Sequence, residues 1–528
     1  MTNKTWTLLA AVLGSSVVFL DSAVLPVALP AIGREPRLVL SVFEAQSYVH
    51  YGYLLTLSAL LVLAGALTDY YGRRRMLVIG LVVFGLTSLL CGLAPNLELL
   101  VLFRLAQGAA GALLVPGSLA ILTHAFAGEE QGRAYGVWAA ASGLAVILGP
   151  FVGGVLVEQL SWRAIFLLNL PLIAVTLWAL ARHVEESRDP TASSSFDWPG
   201  AALVALAVGG LSFGAIFGEQ RQWQDALAFV SLAVGAAATV ALPFYFARAR
   251  QPLVPLAMFR SRNFSVTNLS TTLIYGALYV LAFLLPIYLQ GTLGYTATAV
   301  GLGIVPGSLF LVFLSSRFGA LGSRYGPRRF MTIGPLLMVG GLAWLARIPA
   351  DSSAWQLAIG EPATWLPSTG YLADVLPAQL VYGFGISIMV APLTTALMRS
   401  VPARQAGLAS AINNALSRVG PQLAGALVFV VVTASFYGVL AERVPSLDVG
   451  SAIVREQIPP LRQPSGELPA EQLSAAREAS TEAFHLAMLV AALMVAAGAA
   501  VNWFGISDRQ ARAGPDEPAL PLEAPRLG

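Results

Sequence analysis

The chain has 528 residues, 56% of them hydrophobic and only 11% charged, with a net charge of +3. Soluble domains carry about 25% charged residues, so a string of water-exposed domains is excluded, and the absence of any basic stripe argues against a nucleic-acid partner. One cysteine, Cys91, rules out an intramolecular disulfide.

A membrane-spanning helix needs about 20 mostly apolar residues. In chain order, segments of that kind fall near 6–30, 45–67, 75–94, 97–122, 132–157 and 162–182. Two more, near 199–217 and 226–246, are separated by a polar stretch, and six follow near 264–289, 295–317, 329–347, 374–398, 406–438 and 481–504. The expectation is an all-α polytopic membrane protein with fourteen transmembrane helices. The first stretch contains Asp21 and Pro26 and lacks a small-residue cleavage site, so it reads as a retained helix.

Arginine and lysine placement predicts orientation. With the N-terminus cytoplasmic, 20 of the 31 basic residues fall on the inner side, among them Arg73, Arg74, Arg75, Arg328 and Arg329. Both termini are then cytoplasmic, in a cell (inner) membrane protein. Of two long outer segments, 348–373 carries Trp355 and Trp365 as candidate interface anchors, and 439–480 ends in Ala470–Ser480, a helix leading into the last span.

An internal repeat divides the chain. Gly65-Ala-Leu-Thr-Asp69-Tyr-Tyr-Gly72-Arg73-Arg74-Arg75 closes the second span, and Gly319-Ala-Leu-Gly-Ser323-Arg-Tyr-Gly326-Pro-Arg328-Arg329 closes the tenth. Arg104-Leu-Ala-Gln107-Gly108 pairs in the same way with Gln379-Leu-Val-Tyr382-Gly383, again eight spans later. The simplest account is a six-helix bundle (1–190), two inserted helices (191–250), a second six-helix bundle (251–505) and a disordered cytoplasmic tail (506–528). Duplication of this kind is the architecture of secondary transporters that rock two halves about a central site.

Two opposite charges lie deep in the apolar spans of the first half. An intramembrane guanidinium or carboxylate costs at least a few kcal/mol and marks a functional site unless it is paired. Asp21 is the only acid well inside any span, and it lies about 12 Å from the outer end of its helix, close to the depth of Arg104. Equal depth makes a pair possible, directly or bridged by substrate or water. Span five adds Gly149-Pro150-Phe-Val-Gly153-Gly154, in which Gly149 and Gly153 form a small face for close helix contact. Arg418, within span thirteen, is expected to bond neighbouring carbonyls, and His50 to be a packing histidine.

On these motifs the chain resembles the fourteen-helix drug:proton antiporter branch of the major facilitator superfamily over nearly its whole length. The resemblance implies that Gly65, Asp69, Gly72, Arg73, Arg74 and Arg75 form a conformational latch between the halves, with Tyr70 standing where an arginine usually follows the aspartate. It implies that Ser323, in place of the acid, makes the second copy a weaker latch, and that Gly149, Pro150, Gly153 and Gly154 form the antiporter motif. Ala23 and Pro26 replace a threonine and an asparagine usual in the branch. Span midpoints and the resemblance together suggest a cargo cavity lined by Phe19, Tyr53, Gln107, Trp138, Tyr275, Tyr279, Tyr382 and Phe384.

The implied activity is efflux of lipophilic or amphipathic small molecules by alternating access. Asp21 is then the proton carrier, Arg104 its counter-charge, and the proton gradient the energy source. A lipid or glycolipid exporter on the same scaffold and a substrate:proton importer are the alternatives. No phosphate-binding loop with its lysine, no metal-ligand spacing and no nucleophile–His–acid arrangement is visible, so no enzyme, cofactor or metal is expected. The expected partners are a small lipophilic substrate and membrane lipids, with a monomer as the expected unit.

Overall fold

A computed structural model describes residues 3–32, 42–187, 196–220, 225–358, 360–402, 405–464 and 468–508. Its regular structure is helical, as a chain in lipid requires: with no water to receive backbone N–H and C=O groups, each segment must satisfy its own. Hydroxyls inside the spans do the same, Ser15 Oγ bonding to Ala11 O, Thr68 Oγ1 to Ala64 O and Thr87 Oγ1 to Val83 O.

The helices run α1 (Asn3–Ile32), α2 (Val42–Tyr71), α3 (Arg73–Gly92), α4 (Leu97–Gly111), α5 (Leu114–Ala125), α6 (Gly128–Gln159), α7 (Ala164–Leu167) and α8 (Asn169–His183). Next come α9 (Trp198–Gln220) and α10 (Ala226–Arg248), then α11 (Arg262–Gly291), α12 (Ala297–Tyr325), α13 (Arg328–Leu345), α14 (Leu376–Arg399), α15 (Ala406–Arg443), the short α16 (Ala452–Gln457) and α17 (Ala470–Gly505). The fourth expected span is thus two helices, α4 and α5, broken at Ala112–Leu113, and the sixth is α7 with α8. Polar side chains open several spans: Asn96 Oδ1 accepts from Leu99 N at the start of α4, and Asp225 Oδ1 accepts from Leu227 N at the start of α10.

Thirteen helical stretches among the described residues are long and apolar enough to cross a membrane, against fourteen expected. The remaining one, the eleventh expected span, is α13, an 18-residue helix that opens on Arg328 and Arg329. It is packed in with the others: a Cβ on Gly334 or Gly341 would strike the α14 backbone at Gly385 O or Ala378 O, and Asn502 Nδ2 of α17 donates to Met331 O. The helix expected before the last span is continuous with it, so α17 is about 54 Å long and outreaches the roughly 30 Å hydrocarbon layer. Trp355 is buried, its Nε1 donating to Thr364 O, whereas Trp365 is 54% exposed. The expected disordered tail falls, from residue 509 on, outside the described residues.

Helices α1–α8 and α11–α17 meet along two seams, α2 against α15 and α6 against α12, while the antiparallel pair α9–α10 lies beside α2 and α15. The seams are tightest near the Gly65–Arg75 loop. There a Cβ on Gly65 would stand 2.3 Å from Ala411 Cβ, and one on Gly132 would stand 2.6 Å from Gly319 O. A buried apolar cluster also crosses this end of the molecule, joining Leu61, Leu122 and Tyr135 to Leu397, Leu408 and Ile412. The two halves are therefore closed on the loop side.

Candidate functional site

The two deep charges meet. Asp21 on α1 is 5% exposed and Arg104 on α4 is fully buried, and Arg104 Nη1 donates to Asp21 Oδ2 at 2.6 Å. The same nitrogen donates to Gln107 Oε1 at 2.7 Å, one turn further along α4, and Arg104 Nε donates to Val49 O on α2 at 3.2 Å. The other carboxylate oxygen, Oδ1, accepts from Gln107 Nε2 at 3.3 Å and from Asn169 Nδ2 at 3.2 Å. Ser88 Oγ on α3 holds both amides in place, at 2.7 Å and 3.1 Å. Below the pair lies the Tyr53 ring, 4.1 Å from the guanidinium carbon, with Phe166 at 5.7 Å, so the cation also rests on aromatic faces.

Five helices of the first half thus converge on one carboxyl group, and every hydrogen bond it makes is accepted. That suits the ionised form, which has acceptors only. Gln107, expected in the wall of a cargo cavity, lies inside this cluster instead and is fully buried. Asn169 and Ser88 are members that the sequence reading missed. Their only signal was that of uncharged polar residues within apolar spans.

The glycines of span five pack beside this site. A Cβ on Gly149 would lie 2.6 Å from Ala23 Cβ, and one on Gly153 would lie 2.8 Å from Val24 Cγ1. Helix α6 therefore touches α1 two and three residues after Asp21. Pro150 is exposed and Gly154 half-buried, and α6 continues through Pro150 without a break.

At the loop side Asp69 joins the two halves. Its Oδ1 accepts from Gly407 N at 3.2 Å and its Oδ2 from Leu408 N at 2.8 Å, so a carboxylate from α2 caps the first turn of α15, where the helix dipole favours negative charge. Arg73 Nη2 stands 3.4 Å from Asp69 Oδ1 and is buried. Gly72 has φ of 111°, a conformation glycine adopts at no cost, and it turns the chain from α2 into α3. Just beyond it, Arg74 N and Arg75 N donate to the Glu186 carboxylate, at 3.1 Å and 2.9 Å.

The second copy repeats the turn: Gly326 has φ of 96°, and Arg328 N donates to Asp508 Oδ1 at 3.1 Å. Ser323 Oγ is buried and has no hydrogen-bond partner among the described residues, so this copy lacks the cross-half cap. Another contact closes that seam, Arg399 Nη2 of α14 donating to Gly128 O at the start of α6, at 2.6 Å.

Close approach at Gly65 supplies a test. Gly65→Val has no room against Ala411 and is expected to push α2 off α15 and break the Asp69 cap. In a Cys91→Ala background, a cysteine at Leu408, now 5% exposed, should then react with maleimide several-fold faster. Unchanged reactivity would mean that the seam does not depend on this contact.

The aromatic residues expected around a cargo cavity are spread over both halves. Phe19 meets Trp138 edge-on with ring centres 6.0 Å apart, Tyr53 lies under Arg104, and Phe384 packs on Phe310 and Phe318. Tyr275 packs on the core of the second half and Tyr382 is buried within it. Tyr279 is 48% exposed and lines a cavity of about 220 Å³ between α2, α9, α11 and α15. The carbonyl bonds expected of Arg418 are absent among the described residues, and its side chain lines the same cavity.

Comparison with known proteins bears on what this arrangement does. The family model described as Major Facilitator Superfamily matches residues 11–425. Multidrug resistance protein Stp of Mycobacterium tuberculosis is 33% identical over 416 residues, covering 78% of this chain and 73% of that protein. Puromycin resistance protein pur8 of Streptomyces alboniger is 32% identical (83% and 84% covered), and the tetracenomycin C resistance and export protein of Streptomyces glaucescens is 30% identical (83% and 77%). Among solved structures, the human organic anion transporter MFSD10 superposes with a TM-score of 0.56 at 15% identity, covering 93% of this chain and 98% of that one. The proton:xylose symporter XylE gives 0.55 at 14% identity, with 96% and 97% covered. These likenesses concern the fold.

Proposed function

The chain belongs to the major facilitator superfamily, a multi-pass membrane transporter and not an enzyme, and from that premise we propose that it exports lipophilic or amphipathic small molecules, drugs among them, in exchange for protons. The observation that carries the proton coupling is the sealed Asp21–Arg104 cluster: one ionisable carboxyl group deep in the membrane, held by three donor side chains from two helices, α4 and α8. The relatives named for resistance and export support the direction and the cargo class.

The geometry supports one mechanism. With the halves closed at the Asp69 cap, opening the opposite face gives outside protons a route to Asp21. A proton there removes the charge that Arg104 Nη1 and the two amides hold, which loosens α1 from α4 and α8 and releases cargo. Swinging the halves breaks the Asp69–α15 cap, exposes Asp21 to the other face, and lets the proton leave. The same machinery fits a lipid exporter, and the cavity at the α2–α15 seam is the observation in favour of that second reading.

In proteoliposomes oriented so that the lumen stands for the outside, an acid lumen should drive cargo inward and a protonophore should abolish accumulation. Accumulation indifferent to ΔpH would remove the antiport reading. The orientation belongs to the same proposal, with both termini in the cytoplasm of a cell whose inner membrane holds the protein. A cysteine at Arg74, in a Cys91→Ala background, is expected to react with an impermeant maleimide only after the membrane is opened. Labelling in intact cells would reverse the topology. Residue 465, an expected outside position, lies beyond the described residues.

A further inference from the structure

The cavity of about 220 Å³ at the α2–α15 seam is walled by α2, α9, α11 and α15, and its surface is mostly apolar. Its polar groups are unusual in one respect. Arg418 makes no hydrogen bond or ion pair with any described residue, although it sits in the middle of a membrane-spanning helix. Ser58 Oγ, in a fully buried residue, also lacks a partner there. An unpaired guanidinium in the membrane is costly and calls for a counter-charge, yet none of the lining residues is acidic. Tyr279 and Phe283, on the α11 wall, are 48% and 49% exposed, so the cavity is open along this rim.

We propose that this cavity binds an amphipathic monoanion, a carboxylate or phosphate on an apolar chain. Its head group pairs with Arg418 within reach of the Ser58 hydroxyl, and its chain lies along Ile216, Tyr279 and Phe283. The proposal names a cargo class for the export reading and takes its functional meaning from that reading. Helix α2 connects the two sites. His50, Leu54 and Ser58, four residues apart, share the face toward the cavity. Val49 O and Tyr53, about 100° further round the same helix, hold Arg104. An anion lodged against the first face displaces the helix that carries the second.

The test reads binding, so it stands apart from transport. The protein is placed in phosphatidylcholine nanodiscs and titrated with a stearate carrying a nitroxide near its carboxyl group, and with a trimethylammonium compound of the same chain. The stearate is expected to be immobilised and the cation not. Arg418→Gln should weaken stearate binding by about tenfold or more, the loss of one charge-assisted hydrogen bond, and Arg418→Lys should recover part of it. Gly425→Leu fills the cavity from a position where a Cβ meets nothing within 4 Å. It should abolish binding with Arg418 still in place, which keeps the test decisive should Arg418→Gln fold poorly. Competition by added phosphatidylglycerol assigns the site to a lipid head group, and its absence assigns it to a free amphipathic acid. Equal binding of both probes, or binding untouched by Gly425→Leu, overturns the proposal. Specific stearate binding without any ΔpH-driven transport would keep the site and remove the export reading.

Discussion

Asp21→Asn is expected to abolish the concentration of cargo under ΔpH while leaving the protein folded and able to exchange cargo passively. The structure shows why the fold should tolerate the change. The asparagine oxygen can keep the Arg104 bond, and its new amide donor would face Asn169, whose Oδ1 is buried and has no partner among the described residues. Rotation of the Asn169 amide presents that oxygen, and Gln107 Nε2, which gives up the Oδ1 contact, keeps its bond to Ser88 Oγ, so most of the cluster's bonds survive the loss of the proton. Reconstituted protein, assayed for counterflow and for ΔpH-driven accumulation, separates the two activities. Should the variant still concentrate cargo, Asp21 is not the carrier. The charge of the cargo then sets the second drive. One proton exchanged for a monocation moves no net charge, for a neutral molecule one, and for a monoanion two, each worth about 2.3 kcal/mol per 100 mV.

The largest loss of stability is expected from Arg104→Met, which keeps the length and apolar body of the side chain but removes its charge. Asp21 would remain 5% exposed with only neutral amide donors. Removing one partner of a buried ion pair costs about 3–5 kcal/mol, because the other charge is left without compensation. Combining the change with Asp21→Asn should recover most of that loss, since the double variant buries no charge. Unfolding of the detergent-purified proteins measures the cycle. A single variant as stable as the parent would mean that Arg104 does not hold the carboxylate in the folded state.

The pairing of Asp21 with Arg104 was legible in the sequence because each charge is too costly to sit in a membrane alone and both lie at one depth. Their neutral neighbours were not. Ser88 and Asn169 resemble Thr87 or Ser15, which satisfy themselves on their own helix, and nothing in residue type separates the two situations. Gln107 was placed in a cargo wall because depth along a helix is readable and facing is not. The same distinction governs the latch. Asp69 announced itself in its loop, but its partners are the backbone N–H groups of Gly407 and Leu408, which any residue can supply. Residue type and depth suggest that Arg418 bonds its own helix's carbonyls, and its lack of partners among the described residues shows only in the packing of four helices. The spans were legible from apolar length, whereas the breaks at Ala112–Leu113 and within the sixth span follow local packing that hydropathy does not encode.

The carboxylates of Glu186 and Asp508 set a schedule for biogenesis. Each ties down the glycine turn of its own half from far along the chain, 111 residues after Arg75 in the first half and 180 after Arg328 in the second. At about 5–20 residues per second of synthesis, the first turn leaves the ribosome roughly ten seconds before its acid exists. In that interval the positive ends of α3 and α13 are open to whatever anion is nearest, and the surface of the bilayer is anionic. A nascent half thus meets the bilayer surface before its own carboxylate exists, and each turn is sealed only when that distant residue arrives.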